Sequence, residues 1–174
     1  MENQRKYKFD WDSTIGIELE NARPGLGPST RMEVYRLFQF TLRDVLEQNY
    51  GTEMADKIFR DAGFMAGTVF FDKFLSTATD TASLVNKIQE TFHVLGIGIF
   101  RVESITEDNS HLVFTVSEDL DCSGLPDTSE VICVYDEGFI QGILERFSGK
   151  GFNVREIDCW CTGDRTCRFE AKLA

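Results

Sequence analysis

The chain has 174 residues, of which 42% are hydrophobic and 27% charged, with a net charge of −11; this suits a soluble globular protein with one buried core. No apolar run approaches the roughly 18 residues that span a bilayer, and the start, Met1 to Lys6, lacks the apolar stretch of a secretory signal. A cytoplasmic protein without membrane attachment is expected, and the acidic balance without a Lys/Arg cluster argues against nucleic acid as a partner.

Tyr7, Phe9 and Trp11 alternate with charged residues, the period of a half-buried strand, so an edge strand is expected there. With the Pro/Gly-rich loop from Arg23 to Ser29 it forms an amino-terminal extension, residues 1–28, ahead of the main domain, residues 29–174. Thr30 and Glu33 have the spacing of a capping box before a helix that carries Val34, Leu37, Phe38 and Val45 and ends at Gly51. A second helix over 52–75 has a face of small residues, Ala55, Ala62, Gly63, Ala66 and Gly67. Such a face either packs tightly on another helix or leaves room for a ligand. Asp80 or Thr81 caps a third helix that ends at Gly96, with His93 near its end as a surface residue.

From Ile97 the period changes to that of a strand, and a turn over 107–110 makes a β-hairpin. An acidic segment, 118–130, leads to a fourth helix with Tyr135, Phe139, Ile143 and Phe147 on one face, stopped by Gly149. Two final strands, 154–161 and 165–173, turn around Gly163. The order predicts an α+β domain in which an antiparallel sheet packs against a helical layer.

Chemistry concentrates in the carboxy-terminal third. Cys133, Glu156, Cys159 and Cys167 supply three thiols and a carboxylate, a sufficient tetrahedral shell for zinc. Pairing symmetric about Gly163 puts Cys159 opposite Cys167 on adjacent strands. Glu156 has the wrong strand parity to join them without a bulge. Cys133 stands at the start of the fourth helix, where the dipole favours a thiolate. Cys161 is the second choice as a ligand, and Cys122, in the acidic loop, reads as a free thiol. Buried free cysteines are the plain alternative; redox chemistry lacks a C-x-x-C pair.

The run from Cys133 to Phe169, with Gly138, Gly142, Gly151, Glu156, Cys159, Gly163 and Cys167, resembles the carboxy-terminal signature of the 4-vinyl-reductase domain family. That domain also forms the sensor module of phenol- and xylene-responsive transcription activators. Gly63 and Gly67 resemble its earlier glycine pair, and the resemblance extends from about residue 30 onward. It implies zinc held by Cys133, Glu156, Cys159 and Cys167. A closed shell of this kind leaves no position for water and makes the zinc structural. It also implies a fold shared with vesicle-tethering subunits and haem-based nitric-oxide sensors. The Tyr-x-Ser-x-Arg motif of the haem sensors begins at none of Tyr7, Tyr35, Tyr50 or Tyr135.

The fifteen phenylalanines fill the core or wall an apolar pocket. The expected function is a sensor-type module that encloses a small apolar or aromatic molecule, with Phe64, Phe70, Phe71, Phe92 and Trp160 as lining residues. The resemblance implies a homodimer, with output through a protein partner. A reductase or tetrapyrrole-metabolism enzyme is the alternative, with Asp136, Glu137 and His93 as its nominal groups. No G-x-G-x-x-G sequence supports it. An assembly subunit is the third reading.

Overall fold

The structure is a computed structural model that describes residues 6–16 and 18–174. Positions 1–5 and 17 of the expected amino-terminal extension lie outside the described residues. The chain divides into two compact units, Met1–Gln39 and Phe40–Ala174.

In the first unit the expected edge strand is replaced by a short helix, α1 (Trp11–Thr14). Asp10 caps it by accepting the Ser13 amide at 2.9 Å. Alternation alone does not make a strand without a neighbour to pair with, and the described sheet takes no strand from this region. Helix α2 (Leu19–Ala22) follows, then a turn closed by Gly27, whose amide donates to the Arg23 carbonyl at 2.8 Å. Helix α3 (Met32–Tyr50) runs across the division between the units. Its Glu33 binds Arg31, in place of the expected capping box with Thr30.

The second unit holds α4 (Thr52–Phe70), prolonged by a π-helical turn over Phe71–Leu75, and α5 (Thr81–Leu95). Asp80 and Ser83 cap α5 reciprocally, and Gly96, at φ 68°, ends it, as the sequence predicts. Strands β1 (Ile99–Ile105) and β2 (His111–Ser117) form the expected hairpin. After the acidic loop come α6 (Val134–Ser148), β3 (Phe152–Asp158) and β4 (Cys167–Leu173). The sheet is antiparallel in the order β1-β2-β4-β3, so the fold is α+β as expected.

Helices α4 and α6 touch backbone to backbone. A methyl group at Gly67 would stand 1.9 Å from the Phe139 carbonyl oxygen, and one at Gly142 would stand 2.3 Å from that of Phe64. Gly63 and Gly138 are equally tight, at 2.1 Å from the Tyr135 oxygen and 2.0 Å from the Arg60 oxygen. The small-residue face of α4 is therefore a helix crossing, and the room for a ligand lies elsewhere. Beside the crossing, buried Glu137 accepts from Arg60 Nε at 2.9 Å, from Arg155 Nη1 at 2.9 Å and from the Glu156 amide at 2.9 Å. That carboxylate joins α4, α6 and β3 and fixes the position of Glu156.

Candidate metal centre and apolar cavity

Three elements deliver the cysteines to one point. Cys133 is the N-cap of α6, Cys167 opens β4, and Cys159 follows β3 at the start of a 3-10 turn over Trp160–Thr162. The expected bulge is present: Glu156 pairs with Phe169 and Asp158 with Arg168, so Ile157 is the extra residue. Ile157 turns outward while Glu156 and Cys159 are both buried. Without that residue, the strand's alternation would put Cys159 and Glu156 on opposite faces.

The Cys133 sulfur lies 3.7 Å from that of Cys167 and 4.0 Å from that of Cys159. Two thiolates on one tetrahedral zinc stand about 3.8 Å apart, given Zn–S bonds of about 2.3 Å. These three cysteines therefore fit the ion. The sequence reading missed a fourth member, Cys122. Its sulfur lies 3.0 Å from that of Cys167, and the ligand atoms of Cys122, Cys133, Cys159 and Cys167 all fall within 4.8 Å of one another. No signal in the sequence placed it, because it arrives on the irregular loop after β2. Its position is set there by Asp119, whose carboxylate accepts the Cys122 amide at 3.2 Å. All four thiols are buried and none forms a disulfide.

Glu156 borders the same cluster. Its Oε2 accepts the Cys133 amide at 3.1 Å, and its Oε1 is buried with no hydrogen-bond partner. A buried carboxylate oxygen left unpaired is costly unless a cation or proton takes it. Burial, then the charge of Cys159, pushes the Glu156 carboxyl up to about 8. Hydrogen bonds from Cys122, Cys133 and Cys167 hold the Cys159 thiol far below its ordinary value, while the Cys133 and Cys167 thiols are driven up. The set titrates as one unit, with Cys159 as the preferred thiolate. Burial raises Cys161 to about 12, and it lies outside the four-sulfur group.

Further along the sheet is a cavity of about 200 Å³, walled by Leu84, Ile88, Phe92, Leu112, Phe114 and Ile143 among others. Its polar lining is confined to Thr81, Asp108, Asn109, Ser148 and Lys150, which lie at the start of α5, in the β1–β2 turn and at the end of α6. Thr81 and Asn109 hydrogen-bond to each other there at 3.0 Å. Of the five residues expected to line a pocket, Phe92 does so. Phe70 packs among Phe74, Phe92 and Phe139, and Phe71 against Phe147. Phe64 belongs to the α4–α6 crossing. Trp160 donates its ring N–H to the Leu125 carbonyl at 2.9 Å beneath Arg165. The walls Phe100, Phe114 and Phe152 come from strands whose inward residues were legible as core and not as lining. Cys167 and Leu173 mark the two ends of β4, so cluster and cavity are about 20 Å apart along that strand, with the stacked pair Phe114 and Phe169 between them. His93 is exposed.

Residues 112–173 match the vinyl-4-reductase domain. The matching segment runs from β2 to the end of β4 and contains all five cysteines. Two uncharacterized proteins of Methanocaldococcus jannaschii are 32% and 25% identical over 73 and 99 residues, which are 42% and 57% of this chain. They cover 44% and 56% of those proteins, so the chain spans about half the length of these relatives. Among solved structures, a vinyl-4-reductase family protein from Methanocaldococcus jannaschii superposes with a TM-score of 0.64 at 17% identity, over 98% of this chain and 99% of that one. The phenol-responsive sensory domain of the transcription activator PoxR, solved with phenol, gives 0.64 at 17% over 83% and 75%. A trafficking protein particle complex subunit 3 from Naegleria fowleri gives 0.64 at 17% over 82% and 95%, and an H-NOX protein from K. algicida 0.55 at 14% over 94% and 90%. The vinyl-4-reductase fold is thus shared with the PoxR sensory domain, the trafficking subunit and the H-NOX protein, as the sequence resemblance implied.

Proposed function

We propose that this chain is a sensor-type ligand-binding module that encloses a small apolar molecule in the cavity between α5, α6 and the sheet. The observation that carries this reading is the lining: aliphatic and aromatic walls, with polar side chains only at the rim. A dry apolar cavity of about 150 Å³ already accepts benzene, so a volume of about 200 Å³ suits a single aromatic ring or a short hydrocarbon. A polar group on the ligand would sit at the rim near Lys150 and Asn109. The likeness to the phenol-bound PoxR domain supports the same reading at the level of the fold.

The cysteine cluster would hold zinc, with Cys133, Cys159 and Cys167 as three ligands and Cys122 or Glu156 as the fourth. Bound there, zinc supplies no reaction chemistry; it ties the start of α6 to the β3–β4 hairpin. A homodimer through exposed apolar residues Leu42 and Val45 of α3 and Met54, Ile58 and Met65 of α4 completes the reading. Native mass spectrometry of the purified protein, with a panel of aromatic and aliphatic hydrocarbons, tests it. A bound apolar mass that is lost in Ile143→Trp, while metal content and fold are retained, is the expected result. Equal binding in that variant, or no binding of any member of the panel, would reject the cavity as the site.

A further inference from the structure

We infer that Asp119, Asp136 and Cys133 hold a second divalent cation beside the cysteine cluster, with the Cys133 thiolate shared between the two ions. The inference rests on the proposed zinc centre, since Cys133 belongs to both. The ligand atoms of Asp119, Cys133 and Asp136 lie within 4.8 Å of one another, the same closeness that brings the four cysteines together. These donors come from two separate places, the loop after β2 and the first turn of α6.

Each carboxylate is arranged for such a role. Asp119 is 4% exposed, and its Oδ1 accepts the amides of Asp121 at 2.8 Å and Cys122 at 3.2 Å. Those bonds orient the group and stiffen the loop that delivers Cys122. Asp136 is partly exposed as a residue, but its carboxyl is enclosed and its Oδ2 is buried with no hydrogen-bond partner. An unpaired buried carboxylate oxygen needs a cation or a proton. The arginines that reach this region, Arg60 and Arg155, are engaged by Glu137. One divalent ion among four thiolates leaves a net negative site, and a second ion offsets the carboxylates packed beside it. Zinc accepts thiolate and carboxylate ligands alike, and a thiolate sulfur has lone pairs enough for two ions.

The test is titration of the reduced, metal-stripped full chain with zinc, followed by native mass spectrometry. Wild type should take up a second ion per chain, and Asp119→Asn and Asp136→Asn should each stop at the first. No uptake at all would overturn the zinc centre and this site together. Uptake that stops at one ion in wild type would overturn this site alone, and a second ion retained in both variants would overturn the ligand assignment. Cobalt(II) provides a readout that does not depend on how the variants fold. Two cobalt ions sharing a thiolate couple antiferromagnetically, so the second equivalent should lower the magnetic moment per ion; strictly additive moments would overturn the shared Cys133.

Discussion

At the scale of single residues, the cysteines divide by what their sulfurs touch. Cys133 lies at zinc-compatible distances from both Cys159 and Cys167, whereas Cys161 is buried outside the group. Cys133→Ser should therefore abolish tight metal binding and lower the melting temperature, and Cys161→Ser should change neither; elemental analysis with calorimetry checks both. The carboxylates give a pH signature. Glu156 and Asp119 ionise in the folded, metal-free protein near about 8 and about 7, against about 4.3 and 3.9 in an unfolded chain. The native state keeps protons that the unfolded state has released, so this contribution is fully present below about pH 4 and is lost as the pH rises toward 8. Bound metal reverses the slope, because protons compete with it for thiolates and carboxylates. Chelated protein should melt lower at pH 8 than at pH 5, and loaded protein higher. A chelated Glu156→Gln variant should show a flatter slope; an unchanged one would remove Glu156 as the cause.

At the scale of elements, the crossing of α4 and α6 depends on glycine at four positions. An alanine methyl at Gly67 or Gly142 meets a carbonyl oxygen of the opposing helix, which has no flexible end to move aside. Overpacking in a core costs about 1–3 kcal/mol, and a backbone clash lies at or above the upper end. Gly67→Ala should thus lower the urea midpoint by an amount equivalent to about 3 kcal/mol, while Gly25→Ala, whose methyl meets nothing within 4 Å, should leave it unchanged. Both readings of this helix face, crossing or pocket, were open from its own residues; the matching glycines on α6 decide between them only once the two helices are seen in contact. The terminal hairpin was legible in more detail. Turn symmetry about Gly163 and the need for a bulge after Glu156 both follow from strand parity, and the register contains that bulge. The amino-terminal helix was not legible, since alternation over so short a stretch does not distinguish a strand from a capped helical turn.

At the scale of the molecule, the cluster and the cavity lie at opposite ends of β4 and share its packing through Phe169. A ligand that binds only the folded state stabilises it by about 2.7 kcal/mol at a hundred times its dissociation constant. An apolar ligand should accordingly raise the melting temperature in proportion to the logarithm of its concentration, and Ile143→Trp should abolish that response without loss of metal. Scanning calorimetry over a concentration series checks it.

The sequence by itself determined the α+β order of elements, the caps of α5, the family resemblance and three thiols of the buried cluster. These features are local, because periodicity, capping and turn symmetry act over a few residues. Only the tertiary structure decided that Cys122 joins the cluster, that Glu137 is tied up by two arginines, and which phenylalanines wall a cavity. Those facts depend on where a loop and two distant helices meet, and no spacing along the chain encodes that meeting.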